Sequence, residues 1–322
     1  MKIVIPGGSG QIGHVLARAF IADGHEVVIL SRRPIMSSPR HVAWDGENIG
    51  DWIAEIDGAD VVINLAGRSV NCRYNQANRA EILDSRIRST AVLGKAIEQV
   101  SSPPKVWLQS STATIYAHRY DAPNDEATGI VGGDEPNAPD TWRFSIHVAK
   151  SWEEAALACN TPHTRKVLLR SAMTMSPDHG GVFDTLLRLV RWGLGGTSGD
   201  GRQYVSWIHD VDFIQVIYWL IEQEMDGIVN VCSPEPLPNA EFMRILREAW
   251  GTRIGLPASN EMLELGAIFM RTETELVLKS RRVVPGRLLA SGFPFQFPHW
   301  RDAAIDLCQR WRGMHEKSSI TS

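Results

Sequence analysis

The sequence has no apolar run long enough to cross a bilayer, a task that takes about 20 consecutive apolar residues in a helix. Cysteine is scarce. Cys72, Cys159, Cys232 and Cys308 lie far apart, with no CxxC pair and no metal-ligand spacing. Neither a disulfide framework nor a metal site is therefore expected, and the thiols are expected to be reduced, in a cytoplasm. An excess of one charge is also lacking. Lys and Arg number 33 and Asp and Glu 37, for a formal net charge of −4. That excludes the broad basic surface that holds nucleic acid or acidic membranes. No internal repeat or low-complexity tract occurs, and the first residues read straight into a strand, leaving no room for a signal peptide. What is present is ordinary globular material: 322 residues, 43% hydrophobic and 22% charged. This suffices for one large α/β domain or a large and a small one. The expected partner is a small-molecule substrate, and the expected assembly a monomer or homodimer.

The first thirty-three residues organise the rest. Met1 to Ile5 read as a short buried strand, followed at once by Pro6-Gly7-Gly8-Ser9-Gly10-Gln11-Ile12-Gly13. Ile12, Val15, Leu16, Ala19 and Phe20 then recur at helical spacing. Asp23-Gly24-His25 breaks the helix, and Val27 to Leu30 begins a second strand. The glycines Gly7, Gly10 and Gly13 are spaced GxxGxxG between a strand and an amphipathic helix. One glycine lets the chain turn sharply, one lets a pyrophosphate approach the backbone, and one lets the helix lie close to the sheet. The helix N-terminus then offers unpaired N–H groups and partial positive charge to the phosphates. The pattern predicts dinucleotide binding by Gly7, Ser9, Gly10, Gln11, Ile12 and Gly13.

The end of the second strand selects the cofactor. An acid at this place accepts hydrogen bonds from the adenosine ribose of NAD, whereas cations suit the 2′-phosphate of NADP. Here the strand runs into Ser31-Arg32-Arg33, with no carboxylate. Arg32 can fork onto a phosphate and Ser31 can donate a hydroxyl, so NADP(H) is expected.

Further strands are read at 41–45, 60–67, 105–112 and 166–170, with helices at 76–100 and 142–159 between them. Alternation of this kind predicts a Rossmann-type, doubly wound parallel sheet with right-handed crossovers. Ser110, Ser111 and Thr112 end the fifth strand, the end at which such sheets bind ligands. Residues 1–175 form the expected nucleotide domain, to which later segments can return. Residues 176–322 form a smaller, mostly helical lobe, with helices opening near 178 and at 211–222, 239–250 and 258–278, and a strand at 227–231. A cleft between the lobes is the expected substrate site.

Taken together, these residues resemble the extended short-chain dehydrogenase/reductase superfamily, of the NAD(P)-dependent epimerase/dehydratase type. Pro6 to Gly13 is similar to its TGxxGxxG loop, Asn64-Leu65-Ala66-Gly67 to its NNAG strand end, and Ser110 to Tyr116 to the SSSATVY segment of UDP-galactose epimerases. Within the superfamily the chain resembles the SulA-like group of "epimerase family proteins". The marks are Glu81 with Ser85-Arg86, Trp152-Glu153, Gly201-Arg202-Gln203, Trp207-Ile208-His209-Asp210 and Asn239 to Phe242. The resemblance runs nearly from end to end. It implies NADP(H), with Leu65, Ala66, Gly67, Glu81, Arg86, Ser110 and Met173 against the cofactor, and an oxidoreductase or epimerase acting on a carbonyl or sugar-nucleotide substrate.

The resemblance also implies a triad of Ser or Thr, Tyr, and Lys four residues after the Tyr. Thr112 matches the hydroxyl position and Lys150 the lysine. The tyrosine is missing, because no YxxxK occurs anywhere and Ile146 stands four residues before Lys150. Proton donors from elsewhere are then sought among Tyr116, His147 and His209. Arg202, Gln203 and His209 are expected at the substrate end of the cleft, the alternative being a hairpin whose His209-Asp210 starts the next helix. The opposing reading is a non-catalytic NADP(H)-binding sensor or partner-binding protein.

Overall fold

A computed structural model describes residues 1–35, 38–136, 138–258 and 275–320. The strands are β1 (Lys2–Pro6), β2 (Glu26–Ser31), β3 (Arg40–Ala43), β4 (Val61–Asn64), β5 (Val106–Thr112), β6 (Arg165–Ser171), β7 (Met173–Met175), β8 (Tyr204–Val205), β9 (Trp207–His209), β10 (Gly227–Val231) and β11 (Leu237–Pro238). The helices are α1 (Gln11–Ala22), α2 (Ile53–Ile56), α3 (Gln76–Gln99), α4 (Asp140–Leu157), α5 (Val182–Arg191), α6 (Asp210–Glu222), α7 (Asn239–Trp250), α8 (Glu275–Leu278), α9 (Gly286–Ala290) and α10 (Trp300–Ile320). The helix expected over 258–278 lies outside the described residues except at Ala258, which bridges to Ser198, and in α8.

Seven strands form one parallel sheet in the order β10-β6-β5-β4-β1-β2-β3. The order reverses at β1, so β4 runs on one side of it and β2 on the other. That is the switch point where the C-terminal strand ends leave a crevice. The fold is the expected Rossmann-type doubly wound sheet. Its central strands read as continuous apolar runs because helices cover both faces: Ile3, Val4, Ile5, Val28, Ile29, Leu30, Val62, Ile63 and Leu108 are fully buried.

The chain divides into two compact units. The first holds Met1–Ile115, Arg143–Ser171 and Ile214–Val229; the second holds Tyr116–Trp142, Ala172–Phe213 and Asn230–Ser322. Residues after 175 thus return to the first unit through α6 and β10, while 116–142 pack with the later chain. The second unit has its own apolar core of Phe183, Leu187, Trp207, Phe242, Trp300 and Leu307, with Phe242 and Trp300 stacked at 4.0 Å. Among the described residues no helix is long and apolar enough to cross a membrane, and all four cysteines are free.

Two buried polar networks fix the strand ends in the first unit. At the end of β4, Asn64 donates through Nδ2 to Gln109 Oε1 (2.9 Å) and to Thr90 Oγ1 (3.4 Å), and its Oδ1 accepts from the backbone N–H of Ala66 (3.1 Å). At the end of β5, Ser111 Oγ donates to Glu153 Oε1 (2.5 Å), and Arg170 clamps the same carboxylate with two bonds of 2.8 and 2.7 Å. Arg170 and Glu153 are each 6% exposed. Removing one member of such a pair strands a charge in the interior, which costs more than replacing both with apolar groups. Arg170→Met is expected to lower unfolding free energy by about 3–5 kcal/mol, and the double variant Glu153→Leu/Arg170→Met to recover most of it. Denaturant titration of the three proteins measures both.

Candidate functional site

The turn after β1 carries the site. Gly7 adopts φ +75°, and a Cβ there would come within 2.6 Å of both N and Cα of Ala66. The turn therefore lies directly on the end of β4, where Leu65 N–H donates to Pro6 O (2.8 Å) and Gly7 N–H to Leu30 O on β2 (2.8 Å). At Gly13 a Cβ would collide with Gly8 O at 2.1 Å, so the helix presses on its own entry loop. Gly10 differs, because a Cβ there meets nothing within 4 Å. Its backbone is extended, and it caps α1 with no side-chain hydrogen bond and no acid in the first turn. The three glycines thus divide as the phosphate loop requires: one turns, one packs, and one faces open space at an uncapped helix N-terminus. Ser9 is exposed, and Gln11 and Ile12 are half-buried beside it.

Ser31 is buried, and its Oγ has no hydrogen-bond partner. Arg32 is exposed, and among the described residues no carboxylate pairs with it. Buried Nε2 of Gln11, Nδ1 of His41 and Nε1 of Trp44 also lack partners. A buried unpaired polar atom costs about 1–3 kcal/mol; Trp107 Nε1 and Thr161 Oγ1, away from this turn, are also unpaired, so the case for a ligand here rests on Ser31 and Arg32 at the strand end. The donor set suits a phosphorylated nucleotide.

Leu65 is half-buried and Ala66 buried, while Gly67 is exposed. Arg86 lies under Gly67, where a Cβ would meet its Cζ at 3.1 Å. Its guanidinium donates to the carbonyls of Arg68 (3.0 Å) and Ile82 (2.9 Å) and stacks over Trp152 at 4.8 Å. Burial pushes it down to about 10. It is a desolvated cation held by neutral groups. Glu81, one turn earlier on α3, is largely exposed and paired with Arg68, which also bonds Asn78 (2.7 Å).

The expected catalytic positions fall on β5 and α4 of the first unit. Ser110 and Thr112 are half-buried, and Thr112 Oγ1 accepts from Thr114 N–H (3.2 Å), which leaves its own proton to donate. Ser111, between them, turns to the opposite face and is held by Glu153. Lys150 is half-buried on α4, and Ile146, one turn before it, is 1% exposed. An alkyl side chain thus fills the place of the expected phenol. His147 is exposed on α4.

The second unit holds Met173, Tyr116 and His209. Met173 is half-buried on β7, paired with Trp207 and packed against the apolar core. Tyr116 is buried, with its hydroxyl donated to Asn230 Oδ1 (2.9 Å). His209 is 0% exposed. Its Nδ1 accepts from Val211 N–H (3.1 Å), its Nε2 meets Asp306 (3.0 Å), and its ring stacks on Phe297 at 3.9 Å. Arg310 joins Asp306 to Asp210. The proton-donor role expected of His209 therefore gives way to a structural one: it ties the start of α6 to α10. Gln203 is 2% exposed and donates to Ser198 O (2.9 Å), holding the glycine-rich loop, while exposed Arg202 stacks over Tyr120 at 5.6 Å. The polar character of these motifs is used for packing. Asn64 and Glu153 were marked by the resemblance, but their pairing with Gln109 and Thr90 and with Arg170 was not legible, because the partners are far apart in the chain.

The fold and this loop define a Rossmann-type nucleotide-binding protein. The NAD dependent epimerase/dehydratase family model matches residues 3–232, and a domain of unknown function matches 262–307. The chain belongs to the NAD dependent epimerase/dehydratase family. The human "Epimerase family protein SDR39U1" is 32% identical over 92% of this chain and 96% of its own length, and the Bacillus subtilis "Epimerase family protein YfhF" is 28% identical over 92% and 94%. A crystal structure of human SDR39U1 with NADPH superposes with a TM-score of 0.83 at 30% identity, covering 96% of this chain and 99% of that one. A UDP-N-acetylglucosamine 4-epimerase from Bacillus cereus, at 19% identity and a TM-score of 0.68 over 97% of this chain and 99% of that one, shares the fold.

Two outcomes follow from this geometry. Gly10→Val is expected to abolish dinucleotide binding while leaving circular dichroism and melting nearly unchanged, since its side chain enters open space; normal binding would make the loop purely structural. His209 has its pKa lowered, first by burial, so the folded state favours neutral imidazole. Its contribution to stability is present above the unfolded value of about 6.5 and is lost as pH falls toward the lower folded value. Wild type is expected to lose more unfolding free energy than His209→Gln between pH 7.5 and 5.5, as urea titrations at the two pH values would show.

Proposed function

We propose that this protein binds NADP(H) and acts as an oxidoreductase or epimerase on a carbonyl or sugar-nucleotide substrate, with its proton chemistry altered by loss of the usual tyrosine. The observation that carries the cofactor choice is the end of β2, where buried, unsatisfied Ser31 Oγ stands beside Arg32 and no acid is present. The structure of human SDR39U1 with NADPH supports the same choice. Gly7, Ser9, Gly10, Gln11, Ile12 and Gly13 would hold the pyrophosphate, Ser31 and Arg32 the 2′-phosphate, and Leu65, Ala66 and Gly67 the middle of the dinucleotide. When bound, the cofactor supplies hydride transfer. Thr112 would donate a hydrogen bond to a substrate carbonyl, and the Lys150 ammonium would lie beside a ribose hydroxyl. Arg86, a desolvated cation next to Gly67, adds positive potential at the same strand end.

One observation favours a second reading. Ile146 is buried and aliphatic where the phenol of an active relative would stand, so binding without turnover, in a sensor or partner-binding protein, is the alternative. NADPH turnover with a panel of aldehydes, ketones and UDP- or dTDP-sugars separates the two. Under the first reading turnover falls in Thr112→Ala and Lys150→Ala; under the second no substrate is consumed although NADPH binds.

Calorimetric titration tests the cofactor directly. NADPH is expected to bind more tightly than NADH, and Arg32→Ala to lose on the order of 1.5–3 kcal/mol toward NADPH alone, or roughly ten- to a hundredfold. Equal affinity of the wild type for both cofactors would end the NADP(H) assignment.

A further inference from the structure

Asn64, Thr90, Trp152 and Arg86 form a closed circuit of contacts around the end of β4. Trp152, on α4, is 6% exposed. Arg86 and Thr90 stand one turn apart on α3, and so share the face that meets it. The indole N–H donates to Thr90 Oγ1 (3.1 Å), and the same oxygen lies 3.4 Å from Asn64 Nδ2. Asn64 Oδ1 in turn accepts the N–H of Ala66 (3.1 Å). The indole face carries the guanidinium of Arg86, whose Cζ lies 4.8 Å from the ring centroid. That side chain closes the circuit at Gly67, where a Cβ would meet its Cζ at 3.1 Å, its Cγ at 3.2 Å and its Nε at 3.3 Å. Trp152 is thus fixed by its N–H edge and used by its face.

Arg86 needs such a holder. An arginine carries donors on Nε, Nη1 and Nη2 and has no acceptor. Among the described residues its hydrogen bonds, to the carbonyls of Arg68 and Ile82, leave from Nη1. Nε and Nη2 have no partner among those residues, and neither is one of the buried unpaired atoms. No carboxylate among the described residues acts on this cation; the group that does is the phenol of Tyr74. A desolvated guanidinium without an anion is costly, and the negative face of an indole offsets part of that cost. Without that face the side chain is free to turn out to water, away from Gly67.

We propose that Trp152 is a positioning residue for dinucleotide binding: its ring face holds the Arg86 guanidinium under Gly67, so that the unpaired Nε–H and Nη2–H groups are in place for the dinucleotide. This rests on the reading of Leu65, Ala66 and Gly67 as the holders of the middle of the cofactor. That part of the molecule is common to NADPH and NADH. Trp152 therefore acts on both cofactors, whereas Arg32 acts on NADPH alone.

Titration calorimetry with NADPH and with NADH compares wild type, Trp152→Met, Trp152→Phe, Arg86→Met and the double variant Trp152→Met/Arg86→Met. Arg86→Met is expected to weaken both cofactors about tenfold, and Trp152→Met both about fivefold. The double variant is expected to bind as Arg86→Met does, because Trp152 acts through Arg86. Trp152→Phe, which keeps an aromatic face, should stay within about twofold of wild type. Losses that multiply in the double variant would overturn the proposal and make Trp152 a packing residue. Wild-type affinity in Trp152→Met, or a loss there confined to NADPH, would overturn it as well. Should Trp152→Met not fold, the Nε–H proton resonance of Arg86 in the wild type, identified by its loss in Arg86→Met, decides. It is expected upfield of ordinary arginine signals, from the indole ring current, and to shift when either cofactor is added. An ordinary position, or no shift with bound cofactor, sinks the idea. If the wild type binds neither cofactor, the dinucleotide reading itself has failed.

Discussion

The contact between Gly7 and Ala66 is the constraint on which the candidate site depends. The turn after β1 passes so close to the end of β4 that no side chain fits between them. That closeness sets where α1 begins, with its N-terminus lacking a side-chain cap, and Gly10 there faces open space. The end of β4 is itself immobilised from below, because Asn64 spends its amide on Gln109 and Thr90 and its carbonyl oxygen on Ala66 N–H. Such contacts preset the conformation of the turn, and preorganisation of this kind lowers the ordering cost of binding.

Polar groups in the first unit fall into two sets with different purposes. Glu153, Arg170, Ser111, Asn64, Gln109 and Thr90 are buried and satisfied, and they set the register of strand ends and of α4. Ser31, Gln11, His41 and Trp44 are buried and not satisfied. The first set holds the frame rigid. The second carries a desolvation cost, and it is not confined to one place, since Trp107 Nε1 and Thr161 Oγ1 of the same unit are also left without partners.

The chemical end of the site is poorer. Thr112 keeps a hydroxyl proton to donate, and Lys150 is half-buried one turn from Ile146, but Ile146 brings no acid or base between them. Neither polar candidate in the second unit replaces it. Tyr116 is committed to Asn230, and His209 to Asp306 and the backbone of Val211. The residues read for cofactor binding and those read for proton transfer lie on different elements, so the two properties can be tested separately.

Residues that act through local spacing were legible from the sequence. The GxxGxxG turn, the alternation of strand and helix and the Ser31-Arg32 strand end all depend on neighbours within a few positions, so pattern alone carried the Rossmann-type sheet and the position of the glycine turn. Trp207-Ile208-His209-Asp210 and Gln203 were open to a functional and a structural reading, because polarity in a motif says nothing about burial; the structure buries His209 and Gln203. Glu153 with Arg170, Asn64 with Gln109 and Thr90, and the orphaned nitrogen of His41 are products of strand register and helix placement between segments far apart in the chain. Sequence determined which local turns and elements could form. Only the tertiary structure decided which polar atoms found partners and which were left for a ligand, because that depends on what packing brings within hydrogen-bonding distance.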